Sequence, residues 1–186
     1  TPGDAARIGA LGASNVSVCG NLKFDVTPAS EKILLGRSWR EAVGQRPVWL
    51  AASTREGEEK LVLAAWRKLA VPDALLVLVP RHPQRFGAVA ELLAHEKISF
   101  GRRSEGLPER EMQVWLGDSM GEMAAYYTLA DVAFIGGSLL PLGGQNLIEP
   151  ISMGRPTLIG PHMFNFAEAA AGAIAAGAAI EVADAP

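Results

Sequence analysis

Residues 132–149, VAFIGGSLLPLGGQNLIE, decide the fold. Four apolar residues run directly into Gly136-Gly137, and a second glycine pair follows at Gly143-Gly144. A run that is apolar throughout is typical of a strand buried on both faces of a parallel sheet. Residues 146–153 then show a helical pattern. The segment therefore predicts a strand, a glycine-rich turn and a helix in succession, which is the repeating unit of an α/β sheet.

The same alternation extends along the chain in both directions. Further short apolar runs predict strands at residues 16–19, 47–52, 75–79, 97–100, 114–116, 157–159 and 179–182. Helical patterns lie between them at residues 61–69, 83–95, 120–127 and 164–176. With right-handed crossovers, these elements predict an α/β fold, a Rossmann-like parallel sheet with helices on both faces. The polar stretch 101–110 is interpreted as a loop, so residues 1–186 are expected to form a single domain.

Composition excludes several classes of function. The chain of 186 residues has 49% hydrophobic residues and a formal net charge of −3, which gives no electrostatic footprint for nucleic acid. An anionic ligand must therefore be held by local geometry. The single cysteine, Cys19, cannot form an intrachain disulfide, and no Cys/His spacing suggests zinc. No apolar run approaches the ~18 residues that a bilayer span needs, so the chain is expected to be soluble. Because it lacks an initiator methionine, it is expected to be a piece of a longer protein.

Ligands of such sheets bind in the crevice at the carboxyl ends of the strands. Three loops expected at this edge share the pattern of a capping box, at residues 53–56, 119–122 and 146–149. Each is open to two interpretations. The pattern can be a plain helix cap, or the three helix starts can together present free N–H groups to a phosphate or carboxylate.

The glycine-rich turn at 136–144 can be an ordinary flexible loop, but its pattern favours a ligand-binding loop, because glycines let a backbone approach a bound group closely. It lacks the lysine of a P-loop, the spacing of a dinucleotide fingerprint and the nucleophile elbow of a hydrolase.

Arg81 follows the apolar run 75–79 and suits an anionic group, or alternatively pairs with a surface glutamate. Glu149 can accept hydrogen bonds from both hydroxyls of a ribose, or can serve as a cap. No Asp-x-Asp motif is present, so no metal site is expected.

Seven blocks in a fixed order then resemble the C-terminal half of 3-deoxy-D-manno-octulosonic acid (Kdo) transferases across nearly the whole chain. They are GNLKFD at 20–25, ASTREGEE at 52–59, PRHP at 80–83, GDSMGE at 117–122, ADVAFIGGS at 130–138, GGQNLIEP at 143–150 and GPHMFNF at 160–166.

The resemblance implies a GT-B glycosyltransferase, built from two Rossmann-like domains across a cleft. This half would bind the donor, CMP-Kdo, or CMP. A second, N-terminal domain would hold the lipid A precursor, the membrane contact at the cytoplasmic face of the bacterial inner membrane, and the catalytic base. The family inverts the anomeric configuration without a metal or a cofactor. The chain alone is therefore expected to be inactive and to contain no catalytic residue.

The resemblance also assigns donor-binding residues. Ser53 and Thr54 lie near the phosphate or the Kdo carboxylate, and Arg81 binds the donor. The remaining positions are expected to be Met120, Gly121 and Glu122 beside the cytosine, Gly136, Gly137, Ser138 and Asn146 at the phosphate, and Glu149 at the ribose. Gly144 is expected to be a further donor-binding residue. The chain departs from the common pattern at Arg55 and at Gln145, where histidine is expected in many members.

Two other interpretations remain open. The chain can be the donor domain of another GT-B enzyme or of a sugar epimerase that uses a UDP-sugar. A diphosphate would be expected to require more basic residues in the crevice. The other alternative is a non-catalytic, flavodoxin-like binding domain in which all three helix starts are simple caps.

Overall fold

The computed structural model describes residues 2–19 and 28–183 and shows a single seven-stranded sheet. All of its strand pairs are parallel, and the strand order is β3-β4-β2-β1-β5-β6-β7. The strands are β1 Val48–Thr54, β2 Leu75–Pro80, β3 Phe100–Arg102, β4 Val114–Leu116, β5 Val132–Ile135, β6 Thr157–Ile159 and β7 Ala179–Glu181. The helices are α1 Pro2–Ala10, α2 Ser30–Val43, α3 Glu58–Lys68, α4 Phe86–His95, α5 Met123–Leu129, α6 Ile148–Ser152 and α7 Ala167–Ala175. The predicted α/β class with a parallel sheet is confirmed.

Two hydrophobic clusters cover the two faces of the sheet. Alternate residues of β1 and β2 point to opposite faces, so that Leu50 and Val77 belong to one cluster while Ala51 and Leu76 belong to the other. The first face packs against α2, α5, α6 and α7, and the second packs against α3 and α4. Because both faces are covered near the centre, β2 is buried along its whole length.

Helix α2 was not predicted from the sequence, although it belongs to the core. It presents Trp39 and Val43, spaced four residues apart, to the first face of the sheet. Its contact with α5 is very close, since a Cβ placed on Gly36 would lie 2.4 Å from the backbone oxygen of Ala125. The helix escapes detection because this apolar stripe is narrow and Leu34 faces solvent.

The strand predicted at residues 16–19 is wrong. This segment forms no strand, and Val16 and Val18 are exposed. Two β-branched residues imitate a short buried run, but no neighbouring strand lies beside them to supply hydrogen bonds. The edge strand predicted at 97–100 begins later, at Phe100, because Lys97 adopts a left-handed φ of 55° in the turn that ends α4. The block GNLKFD at 20–25 lies outside the described residues.

The topology fixes where a ligand can bind. From β1 the chain moves through α3 to β2 on one side, whereas β5 lies on the other side of β1. The carboxyl ends of β1 and β5 therefore form the switch point of the sheet, from which the following segments diverge to opposite faces. The loops after these strands, 53–57 and 136–147, are the segments that the sequence singles out.

Among the described residues, no helix is both long enough and apolar enough to span a bilayer.

Candidate functional site

The loops after β1 and β5 are in backbone contact. A Cβ on Gly136 would lie 2.4 Å from the Ser53 carbonyl oxygen and 2.6 Å from the Thr54 Cα. Ser53 itself has a left-handed φ of 56°, and the pairing of β1 with β2 shifts register between Ala52 and Thr54. A bulge of this kind redirects the residues that follow it. Only a glycine at 136 allows the two loops to approach so closely.

Glu58, the first residue of α3, joins these two loops. Its side chain is fully buried and accepts four backbone N–H groups. Oε2 accepts from Arg55 at 2.9 Å and from Gly137 at 2.5 Å, while Oε1 accepts from Ser138 at 2.9 Å and from Leu139 at 3.0 Å. Because the chain's own carboxylate satisfies this ring of amides, it stabilises the glycine turn in a single shape.

This geometry corrects the roles assigned to the glycine turn. The amides of Gly137 and Ser138 donate to Glu58, and the amide of Gly136 donates to Ala52 at 2.7 Å, so all three amides are already bonded within the chain. The Ser138 hydroxyl is buried, donates to the Ile135 carbonyl and accepts from Gly160 at 2.8 Å. Gly144 donates to the Gly137 carbonyl at 2.6 Å. These residues build the turn and do not themselves present free donors.

Thr54 also has an internal role. Only 1% of it is exposed, and its hydroxyl donates to Glu59 Oε1 at 3.1 Å. The other oxygen of Glu59 accepts from Arg85 at 3.0 Å. Burial raises the pKa of the Glu59 carboxyl, while its hydrogen bonds and the Arg85 charge oppose that shift. Glu59 and Arg85 were not identified from the sequence, because a glutamate in the first turn of a helix usually faces solvent.

None of the three proposed capping boxes forms. Helix α3 begins at Glu58 behind Gly57, four residues later than the pattern at 53–56 predicts. At α5 the Ser119 hydroxyl donates to the Glu122 side chain at 2.5 Å instead of accepting from a backbone N–H. At α6 the Asn146 side chain accepts from the Ile148 N–H at 3.0 Å, and Glu149 does not reciprocate. The three sequence patterns therefore lie at the carboxyl edge of the sheet, as predicted, but their side chains do not form the predicted capping boxes.

The loop after β4 is held by a partly buried polar network. Arg103 donates to Glu122 Oε1 at 3.0 Å and lies 4.8 Å from the centre of the Trp39 ring. Ser119 bridges Glu122 Oε2 and the Tyr126 hydroxyl, which lies 2.8 Å away. Both oxygens of Glu122 are thus engaged within the protein. Met120 and Gly121 remain exposed at the tip of the loop, where a ligand can reach them.

Glu149 lies on α6, which contacts α5. Its carboxylate has no hydrogen-bond partner among the described residues, and burial raises its pKa. Its charge also acts on the buried Tyr127, whose neighbour Tyr126 contacts the loop after β4. A half-buried carboxylate without a donor is poorly solvated, so hydroxyl donors from a ligand would stabilise it.

Arg81 extends from the end of β2 to the glycine turn. Its Nε donates to Gln145 Oε1 at 3.1 Å, and its backbone N–H donates to the Thr54 carbonyl at 2.9 Å. The alternative that it pairs with a surface glutamate is wrong, since Gln145 is its only side-chain partner among the described residues. No acidic group among the described residues therefore neutralises the positive charge of its guanidinium, which lies beside the two loops.

The fold thus brings the predicted residues to a single edge with distinct roles. Thr54, Gly136, Gly137, Ser138, Gly144 and Glu122 are engaged in building the loops, whereas Ser53, Arg81, Met120, Gly121, Asn146 and Glu149 are left half-buried or exposed around them. A cavity of about 450 Å³ lies elsewhere, on the α3 face over β5 and β6. Its lining is almost wholly apolar, which suits neither a phosphate nor a sugar.

Comparison with known proteins identifies relatives of this chain. It is 47% identical over 192 residues to the 3-deoxy-D-manno-octulosonic acid transferase of Bordetella pertussis, covering 100% of the chain and 45% of that relative. It is 46% identical over 157 residues to the enzyme of the same name from Haemophilus influenzae, covering 82% of the chain and 37% of that relative. The chain thus spans less than half the length of either protein. No family model matches it.

A solved structure gives a comparison at domain level. The crystal structure of the C-terminal CMP-Kdo binding domain of WaaA from Acinetobacter baumannii superposes with a TM-score of 0.80 at 35% sequence identity. The match covers 84% of this chain and 84% of that domain. Similarity in both sequence and fold therefore extends over most of the described sheet.

Proposed function

Because this chain belongs to the 3-deoxy-D-manno-octulosonic acid (Kdo) transferase family, we propose that it is the donor-binding domain and binds CMP-Kdo at the carboxyl edge of β1, β4 and β5. One observation supports this assignment most strongly. Among the described residues, this edge offers a carboxylate without a hydrogen-bond partner at Glu149, and a guanidinium without an acidic partner at Arg81, which is bonded to Gln145 four residues before Glu149. A nucleoside monophosphate needs both features, hydroxyl acceptors at one end and positive charge at the other.

Within this proposal the exposed loop tip at Met120 and Gly121 lies beside the cytosine, Glu149 accepts the ribose hydroxyls, and Arg81 with Asn146 faces the phosphate. The phosphate contact differs from the one expected from the sequence, because the glycine amides are already bonded to Glu58. Side chains at the rim replace them as donors. The mechanism we propose needs no metal, since a guanidinium can neutralise the single phosphate of the leaving CMP.

The parent protein is proposed to be an inverting glycosyltransferase that moves Kdo to a lipid A precursor in lipopolysaccharide biosynthesis. A further N-terminal domain would bind the acceptor, supply the catalytic base and contact the cytoplasmic face of the inner membrane. In support of this, the Bordetella relative is named a transferase and is more than twice as long as the matched region. The chain by itself is expected to bind the donor without transferring the sugar.

Titration with nucleotides tests the donor assignment. CMP is expected to stabilise the chain against thermal unfolding, because a ligand that binds the native state at 100 times its Kd adds about 2.7 kcal/mol to the free energy of unfolding. UMP and UDP at equal concentrations are expected to add less. A larger shift with UDP would favour a UDP-sugar enzyme. A folded chain indifferent to all three would favour a non-catalytic domain.

The pH dependence of nucleoside binding tests the role of Glu149. Only the ionised carboxylate accepts both ribose hydroxyls, and burial raises its pKa above that of an ordinary glutamate. We therefore expect cytidine affinity to be full at pH 8 and to fall as the pH drops through this raised pKa. Glu149→Gln is expected to weaken binding about tenfold at pH 8 and to remove most of that pH dependence. Isothermal titration with cytidine, which has no phosphate to titrate, measures both.

The same variant separates binding from folding. Glu149 makes no side-chain hydrogen bond within the described residues, and burial of its ionised carboxylate costs free energy. Glu149→Gln should therefore not lower the free energy of unfolding of the unliganded chain, and at pH 8 it should raise it. Equal losses of stability with and without cytidine would show instead that Glu149 is a structural residue.

A further inference from the structure

Arg55 has a defined position in the switch point but no assigned partner. It follows the bulge at the end of β1, and its backbone N–H donates to Glu58. Its Cγ lies 3.5 Å from the place that a Cβ on Gly137 would occupy. The aliphatic part of the side chain is therefore held against the glycine turn, while the residue remains partly exposed.

The carboxylates near Arg55 are all engaged by other groups. Glu56 pairs with Arg85 at 3.5 Å, Glu58 accepts four amides, and Glu59 accepts from Thr54 and Arg85. Within the part of the chain that the structure describes, the guanidinium of Arg55 has no hydrogen bond and no ion pair. An arginine is always charged at neutral pH, so this edge carries a positive charge that no acidic group among the described residues neutralises.

A second uncompensated arginine lies close by. Gln145 accepts from Arg81 through its side-chain oxygen, and its nitrogen lies 3.2 Å from the same hypothetical Cβ on Gly137 that Arg55 contacts. Gln145 is thus placed between the two arginines. It holds Arg81 beside the glycine turn by a neutral hydrogen bond and leaves the charges of both guanidinium groups available.

The proposed donor carries two anionic groups close together, a carboxylate and a phosphate, which match two neighbouring arginines. An ulosonic acid has its carboxylate on the anomeric carbon, which is also the carbon that bears the phosphate in the sugar nucleotide. Two negative groups on the same carbon require two positive groups side by side, and each guanidinium can bond two oxygens. CMP, which remains after transfer, keeps only the phosphate.

We propose that Arg55 binds the sugar carboxylate of the donor, while Arg81, held by Gln145, faces the phosphate. This inference rests on the proposed function and adds a specificity to it. Arg55 makes the domain bind the intact sugar nucleotide more tightly than the product CMP, and release of the sugar removes the contact.

Isothermal titration of the chain with freshly prepared CMP-Kdo and with CMP tests the proposal. Arg55→Gln should weaken CMP-Kdo binding by about 10- to 100-fold and change CMP binding by less than about threefold, because only the first ligand carries a carboxylate. Arg55→Lys should recover part of the loss, since lysine keeps the charge without the planar fork. Arg81→Gln is the matched control and should weaken the binding of both CMP and CMP-Kdo.

Each other outcome has a definite meaning. Equal weakening of CMP and CMP-Kdo by Arg55→Gln would overturn the proposal and place Arg55 at the phosphate. Unchanged affinity for both ligands would overturn it as well. Failure of the unsubstituted chain to bind CMP would instead contradict the proposed function itself. Thermal unfolding of the variant without ligand shows whether it is folded, which we expect because the Arg55 guanidinium forms no hydrogen bond or ion pair with the described residues.

Discussion

Replacing Glu58 by glutamine is expected to cause the largest loss of stability of any single isosteric change in this chain. The carboxylate accepts four buried N–H groups, two on each oxygen. A glutamine keeps one acceptor oxygen and turns the other position into a donor, so two buried N–H groups lose their partner. Each such group costs about 1–3 kcal/mol, which predicts a loss of about 2–6 kcal/mol in the free energy of unfolding.

The measurement is urea denaturation of Glu58→Gln beside Glu56→Gln. Glu56 is the matched control because it lies two residues earlier, with a side chain that is 86% exposed. The control should unfold like the unsubstituted chain. Glu58→Gln should also lose most of its affinity for CMP, since the loops after β1 and β5 separate. Similar midpoints for the two variants would show that the buried carboxylate does not hold the glycine turn.

Gly136→Ala is the second change with a large expected effect. The added methyl group would lie 2.4 Å from a carbonyl oxygen and 2.6 Å from a Cα, and both are backbone atoms of the loop after β1. No rotation of a side chain relieves such a contact, so the ends of β1 and β5 must move apart. We expect a loss of about 1–3 kcal/mol in stability and at least about tenfold weaker CMP binding.

Gly172→Ala gives the corresponding control. Gly172 lies within α7, and a Cβ there meets no atom within 4 Å. Alanine should be neutral or should stabilise that helix by about 0.5–1 kcal/mol. Comparing the two variants by urea denaturation and CMP titration separates a steric effect at the switch point from a general effect of removing a glycine. Equal behaviour of the two would contradict the close approach of the loops.

The fold could be predicted from the sequence where patterns are local. The buried run of β2 and the glycine turn after β5 each carry their own signal, and a parallel sheet follows from their alternation with helices. Helix α2 was missed because its narrow stripe, with Trp39 and Val43, gains meaning only against α5 and the sheet. The false strand at 16–19 shows the converse, since β-branched residues form a strand only where a partner strand is present.

The candidate site could be predicted in place but not in detail. Arg81 and Glu149 could be selected as candidates because ligands are expected at the carboxyl edge of a parallel sheet. The role of Glu58 was not found, because its bonds to Gly137, Ser138 and Leu139 span 79 to 81 residues along the chain. Sequence spacing cannot show that a protein carboxylate already occupies the ring of amides that was assigned to a phosphate.

Because Glu58 already binds these amides, the positive charge at the site must come from other groups. Free helix N-termini were expected to supply the positive charge, but α5 and α6 are only seven and five residues long. The amides of Arg55, before α3, and of Gly137 and Ser138, in the glycine turn, are bonded to Glu58. Guanidinium groups at the rim therefore supply the charge. The charge of an arginine does not depend on pH in the neutral range. The protein's contribution to phosphate affinity should therefore not change with pH in that range.

Backbone amide NMR during a CMP titration tests the central claim most directly, because a chain of 19.6 kDa gives one resolved signal for most residues. We predict that the shifted signals belong to the loops after β1, β2, β4 and β5 and to the start of α6, all at one edge of the sheet. Shifts concentrated around the apolar cavity between α3, β5 and β6, with the edge loops unaffected, would contradict the assignment of this edge as the donor site.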